Sequence, residues 1–172
     1  MKNLIFLSAI ILFVSCKQEP QKPLKYADVD TSSNEVVHLT DGDDTYYTLT
    51  ELIDENKGKI IYLNFFHSFV PKEIMRATEA LEKSMDSTEF IILNISTEAA
   101  MDPFQNHLKI TTLKHNYITR NFPEATFYQT HKIQAIPRYM IYDRSGKLID
   151  DYALGTDDER LQPILEALIN QQ

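Results

Sequence analysis

The chain is nearly devoid of sulfur chemistry. Its 172 residues hold one cysteine, Cys16, which ends the apolar run from Leu4 to Val14. Thiol chemistry needs a thiolate as nucleophile, and no residue beyond position 16 can supply one. Function in the folded part must therefore rest on shape, hydrogen bonds or other side chains. Positive charge is also scarce, with 17 Lys and Arg against 25 Asp and Glu. Loss of residues 1–15 would remove only Lys2, leaving 16 against 25 and a net charge of −9. Such a surface does not neutralise phosphates, so nucleic acid is not an expected partner. Internal repeats and low-complexity runs are absent. The longest apolar run has eleven residues, fewer than the about 20 that span a bilayer.

That short run carries an export pattern. Lys2 supplies a positive start, Leu4 to Val14 the apolar centre, and Phe13-Val14-Ser15-Cys16 a small residue ahead of cysteine. The ending resembles the lipobox of bacterial lipoproteins, with Phe13 in place of the usual leucine. The resemblance implies cleavage after Ser15 and a diacylglyceryl group on the Cys16 sulfur. Two or more acyl chains hold a protein stably on a membrane, each buried methylene contributing about 0.8 kcal/mol. Lys17, where an aspartate is associated with inner-membrane retention, leans the expected location toward the outer membrane, facing the periplasm. Three segments are expected: a signal peptide at 1–15, a lipidated cysteine with a flexible, polar, Pro- and Gln-rich tether at 16–35, and one domain at 36–172.

Within the domain the pattern predicts an α/β fold. Val36 to Leu39 and Tyr46 to Leu49 flank Asp41-Gly42-Asp43-Asp44 and read as a hairpin. Thr50 to Asn56 reads as a short helix. Ile60 to Phe66 and Phe90 to Ile95 are almost unbroken apolar runs, as strands covered on both faces require. Pro71 suits the start of the helix between them, with Ile74, Ala77, Leu81 and Met85 as its inward stripe. Asp102 to Asn121 is expected to be helical in part. Arg138 to Asp143 and Lys147 to Tyr152 form a hairpin about Gly146. Thr156-Asp-Asp-Glu159 reads as a capping box for a closing helix that contains Pro163.

This order, with Asp41-Gly42, Gly58-Lys59, Phe65-Phe66, Ile136-Pro137, Asp143 and Gly146-Lys147 at matching spacing, resembles the thioredoxin-like thiol-disulfide oxidoreductases of the TlpA/ResA type. The resemblance runs from about Val36 to the C-terminus. It implies a thioredoxin-like fold, a central mixed β-sheet flanked by helices, with an N-terminal β-hairpin extension. It also implies a cis bond before Pro137. In that alignment Phe69 takes the tryptophan position, Val70 the first cysteine and Glu73 the second. A degenerate member without the Cys-x-x-Cys pair follows, with no catalytic residue at Val70 or Glu73, since neither side chain can attack a disulfide or resolve one.

What such a site retains is a surface for an extended peptide, and Phe66, Phe69, Val70, Ile136, Pro137 and Tyr139 are the expected binding residues. Strand-end apolar residues more commonly pack a core, so these could also simply cover a dead site. The expected function is a redox-inactive binding or accessory module for an envelope protein or peptide partner. The alternatives are a non-thiol enzyme or metal-handling protein using His67 and Glu73, a homologue active only with a partner's cysteines, or a structural appendage of a larger complex. His38, His67, His107, His115 and His131 are scattered without metal-ligand spacing, and no motif implies a cofactor. Tyr117, Phe122, Phe127 and Tyr128 read as an aromatic lid over the core. Lys72 and Arg138 read as ordinary surface charges.

Overall fold

A computed structural model describes residues 23–171. The export pattern and Cys16 lie outside the described residues. The runs that sequence marks as doubly covered become the two central strands, β3 (Ile60–Phe66) and β4 (Phe90–Ser96), and all seven residues of each are buried. They pair in parallel from Ile60↔Phe90 to Phe66↔Ser96, joined by α2 (Lys72–Ser84). A seven-stranded mixed sheet grows outward from this pair, in the order β2-β1-β5-β4-β3-β6-β7. On one side β6 (Arg138–Tyr142) and β7 (Leu148–Asp150) add antiparallel. On the other, β5 (Asn116–Thr119) is parallel to β4 and antiparallel to β1 (His38–Thr40), whose hairpin partner β2 (Tyr46–Thr48) ends the sheet.

Strand side chains alternate between faces, and that parity sorts the core into two. Ile61, Leu63, Phe65, Ile91, Leu93 and Ile95 face α1 (Leu49–Glu55) and α4 (Thr126–Thr130), meeting Leu49, Leu52, Ile53 and Tyr128. Ile60, Tyr62, Phe90 and Ile92 face α2 and α5 (Leu161–Asn170), meeting Leu81, Leu161 and Leu165. The expected thioredoxin-like arrangement is therefore present, with the hairpin built into the sheet.

Several local expectations are refined or corrected. The stretch Asp102 to Asn121 is helical in part, as expected, through α3 (Met101–Leu108), and its unread remainder includes Tyr117-Ile118-Thr119, β-prone enough to enter the sheet between β4 and β1. The capping box expected at Thr156 is not formed. The Thr156 hydroxyl instead meets Thr78 Oγ1 at 2.8 Å, while α5 starts after Arg160 with no side-chain cap. Thr78 thereby enters the buried stripe of α2 beside Leu81, and Ile74 and Ala77 are only half-buried. Pro163 sits in the first turn of α5, where its missing N–H has no intrahelical role. The capping box that exists was unread: Thr48 accepts from Glu51 N at 3.1 Å, and Glu51 accepts from Thr48 N at 2.9 Å. Finally, the tether is attached near its middle. Tyr26 N donates to Asp44 O and Tyr46 N to Leu24 O, so residues 24–26 run along the start of β2.

Candidate functional site

The loop between β3 and α2 sits at the carboxyl end of the parallel strands. Val70 N donates to His67 O at 2.9 Å to close a turn, and Pro71 caps α2 with its carbonyl accepting from Ile74 and Met75. Across the sheet, Phe65 pairs with Arg138. Pro137, one residue earlier, is thus level with the exit of β3, and the Ile136–Pro137 peptide is cis. Loop and proline share one end of the sheet on adjacent strands.

The expected binding residues divide into two groups. Phe69 is 89% exposed, Pro137 is exposed, and Val70 and Ile136 are half-buried. Phe66 and Tyr139 instead lie inside. Phe66 packs 4.7 Å from the His107 ring. Tyr139 stacks on Tyr62 at 5.5 Å, and burial pushes its phenol up to about 12. Strand alternation explains this, since Tyr139 shares a face with Ile141 toward α5. Any groove here is built from Phe69, Val70, Ile136 and Pro137.

What fixes the loop is a residue that sequence reasoning missed. Glu98, just past β4 and 8% exposed, accepts from Ser68 N at 2.8 Å, from the Ser68 hydroxyl, and from Ser96 Oγ at 2.5 Å. Hydrogen bonds to a carboxylate are stronger than neutral ones, so the turn is tied to the neighbouring strand. Thr97 N donates to Phe66 O at 2.9 Å and completes the tie. No spacing pattern announces these residues, because they meet only once β3 and β4 are paired. Beneath them His107 is buried, and desolvation holds its imidazole below the ordinary range, against the opposing charges of Glu98 and Glu79.

His67 and Glu73 do not form a recognisable pair. His67 Nε2 lies 3.4 Å from Thr97 Oγ1, while Glu73 is exposed in the first turn of α2. Among the described residues no three His, Cys, Asp or Glu side chains gather as a metal set. A carboxylate at that position favours the helix macrodipole without further role. Arg138, expected as a free surface charge, is held instead: Nε donates to Asp151 O at 2.9 Å, and the guanidinium lies 4.0 Å over the Tyr152 ring. Of the aromatic lid, Phe122, Phe127 and Tyr128 interlock edge to face, whereas Tyr117 pairs with Tyr47.

No family model matches the sequence, and no curated protein matches it. Solved structures do. A candidate thiol-disulfide oxidoreductase from Bacteroides vulgatus is 20% identical, with a TM-score of 0.65 over 76% of this chain and 90% of that one. A thiol:disulfide interchange protein of the thioredoxin family from Chlorobium tepidum is 16% identical, with a TM-score of 0.60 over 88% and 100%. An exposed lipoprotein thioredoxin from Streptococcus pneumoniae is 20% identical, with a TM-score of 0.55 over 77% and 97%. Set beside the strand order, the doubly covered β3–β4 pair and the cis proline facing the loop, these likenesses lead to one conclusion: the chain has the thioredoxin-like fold, and its described residues contain no cysteine.

Proposed function

We propose that the protein is a lipid-anchored thioredoxin-fold module of the cell envelope that is redox-silent and holds an extended peptide segment of a partner at the loop beside Pro137. The observation that carries this reading is the combination of a firmly tied loop with side chains that cannot exchange electrons. Glu98 secures Ser68, yet positions 70 and 73 offer only valine and glutamate. Backbone groups of an exposed loop can pair with an extended peptide without any thiol, and the exposed Phe69 ring adds apolar contact beside them. The likeness to an exposed lipoprotein thioredoxin agrees with the lipobox-like Ser15-Cys16 ending.

Each part has its own test. The full chain should not accelerate insulin-disulfide reduction above background, and measurable turnover would overturn redox silence. A carboxymethylated insulin B chain, extended and thiol-free, should bind with an affinity that Phe69→Ala weakens by about fivefold, in line with burial of one aromatic side chain at a small interface. Equal binding by both proteins would remove the loop from the reading. Metabolic labelling with palmitate should mark the wild type and not Cys16→Ser.

A further inference from the structure

At the amino ends of the parallel strands, opposite the Val70 loop and Pro137, lies a cleft of about 260 Å³. It opens between the end of α2, the start of β4 and the turn that leads into β5, and its lining includes Lys59, Glu82, Ser87, Phe90, Lys114 and His115. In a chain with 25 acidic against 17 basic residues, this is a local reversal of sign, since two lysines and a histidine converge on a recess with one carboxylate. Like charges brought together raise the energy of the folded state unless a counter-charge joins them. The protein supplies little of it. None of the ion pairs among the described residues involves Lys59 or Lys114. Glu82 Oε1 accepts from the Lys114 backbone N at 3.3 Å. Of the carboxylates beside the cleft, Glu89 holds Arg144 at 2.5 Å and Asp86 accepts from Thr88 N at 2.9 Å. The convergence is felt by the imidazole: burial first, then the charges of Lys59 and Lys114, hold His115 below its ordinary range.

We propose that this cleft binds a dianionic oxyanion of the phosphate class, with the ammonium groups of Lys59 and Lys114 as its counter-charges and the Ser87 hydroxyl and His115 imidazole as hydrogen-bond donors. The chemistry of each group fits. Lysine meets phosphate as a point charge and needs no fixed fork, a hydroxyl turns its proton to suit, and an imidazole donates from one ring nitrogen when neutral and from both when protonated. An arriving dianion offsets the lysine charges that now disfavour the imidazolium, so His115 gains basicity on binding. The size fits a small anion, being just below the about 300–1,000 Å³ of sites for larger ligands. Phe90, 3% exposed, gives the cleft an apolar wall that strengthens charge attraction. A phosphodiester carries a single negative charge and balances fewer of these groups, so inorganic phosphate or a phosphate monoester is favoured over a lipid headgroup. Cleft and loop stand at opposite ends of the sheet, and neither depends on what the other holds.

The test follows the His115 imidazole by NMR on the full chain in detergent micelles at pH 7.5, as inorganic phosphate is added at constant ionic strength. Saturable shifts at His115 are expected, with its titration midpoint moving upward. Lys59→Gln/Lys114→Gln should weaken binding about tenfold or more, and Glu82→Gln, which removes the opposing carboxylate, should tighten it about threefold. Lys57→Gln is the control: that lysine pairs with Asp54 at 2.6 Å and does not line the cleft, so binding should be unchanged. Dimethyl phosphate, a monoanion with the chemistry of a lipid headgroup, should bind more weakly than phosphate. Shifts that never saturate, or that persist undiminished in the double lysine variant, would overturn the proposal, and tighter binding of dimethyl phosphate would overturn the dianion.

Discussion

Glu98 is the residue on which the candidate site's geometry turns. Its carboxylate accepts three hydrogen bonds while almost fully buried, and its removal leaves Ser68 N–H and Ser96 Oγ without their acceptor. We expect Glu98→Ala to cost about 2–3 kcal/mol in urea unfolding, and Glu98→Gln less, because an amide oxygen can still accept from Ser68 N. A loss under about 0.5 kcal/mol for the alanine variant would mean that the loop is held elsewhere. His107 and His115 make a second prediction. Burial lowers both imidazoles, helped at His115 by Lys59 and Lys114 and opposed at His107 by Glu98 and Glu79. A histidine held below its ordinary value folds neutral, so the unfolded chain takes up the proton first as pH falls. Stability is therefore expected to decline as pH drops through about 6.5, by at most about 1.4 kcal/mol per pH unit for each histidine. Thermal unfolding between pH 7.5 and 5 checks this, and His107→Leu should flatten the profile by that residue's share.

At the scale of elements, two Thr-x-x-Glu stretches compete for the same interpretation and only one becomes a cap. Thr48 and Glu51 close reciprocally at the start of α1, so Thr48→Ala should cost about 1 kcal/mol. Thr156 is drawn to Thr78 on α2, a partner 78 positions away that no local pattern could reveal. The same contrast runs through the molecule. The doubly covered strands, the hairpin at Gly146 and the helix after Pro71 were legible, because periodicity and turn chemistry are local. Strand β5 was not, since four residues give too short an alternation. The burial of Phe66 and Tyr139 followed from which face each strand turns to its helices, and the Glu98 tie from strand adjacency, both settled only by tertiary structure. Gly146 offers a direct check on the hairpin. With φ +80° and a would-be Cβ at 3.0 Å from Lys57 Cε and 3.2 Å from Ile53 Cγ2, Gly146→Ala should cost about 1–2 kcal/mol.

For the whole molecule, the question is whether a scaffold whose described residues hold no thiol presents a place that could use one. Introducing a thiol pair by Val70→Cys/Glu73→Cys sets one thiol just ahead of α2 and the other in its first turn, where backbone N–H groups favour a thiolate. Insulin-disulfide turnover well above the wild-type background is the expected result. A folded double variant with no turnover would argue that loop and proline are not arranged for exchange. Shape and charge also act at this scale: with 25 acidic against 17 basic residues, partners presenting positive segments are favoured at low salt and less so as salt rises.

The hydrogen bonds from Leu24 and Tyr26 to the β2 edge bear on mechanics. The chain leaves the sheet at one flank, and Pro137 and the Val70 loop belong to the β3–β6 pair four strands away. A tug arriving through the N-terminal segment would therefore be spent first on unzipping Leu24 and Tyr26 from that outer strand. The end that carries Pro137 would stay at rest, as a load borne by a hinge leaves the far edge of a door undisturbed.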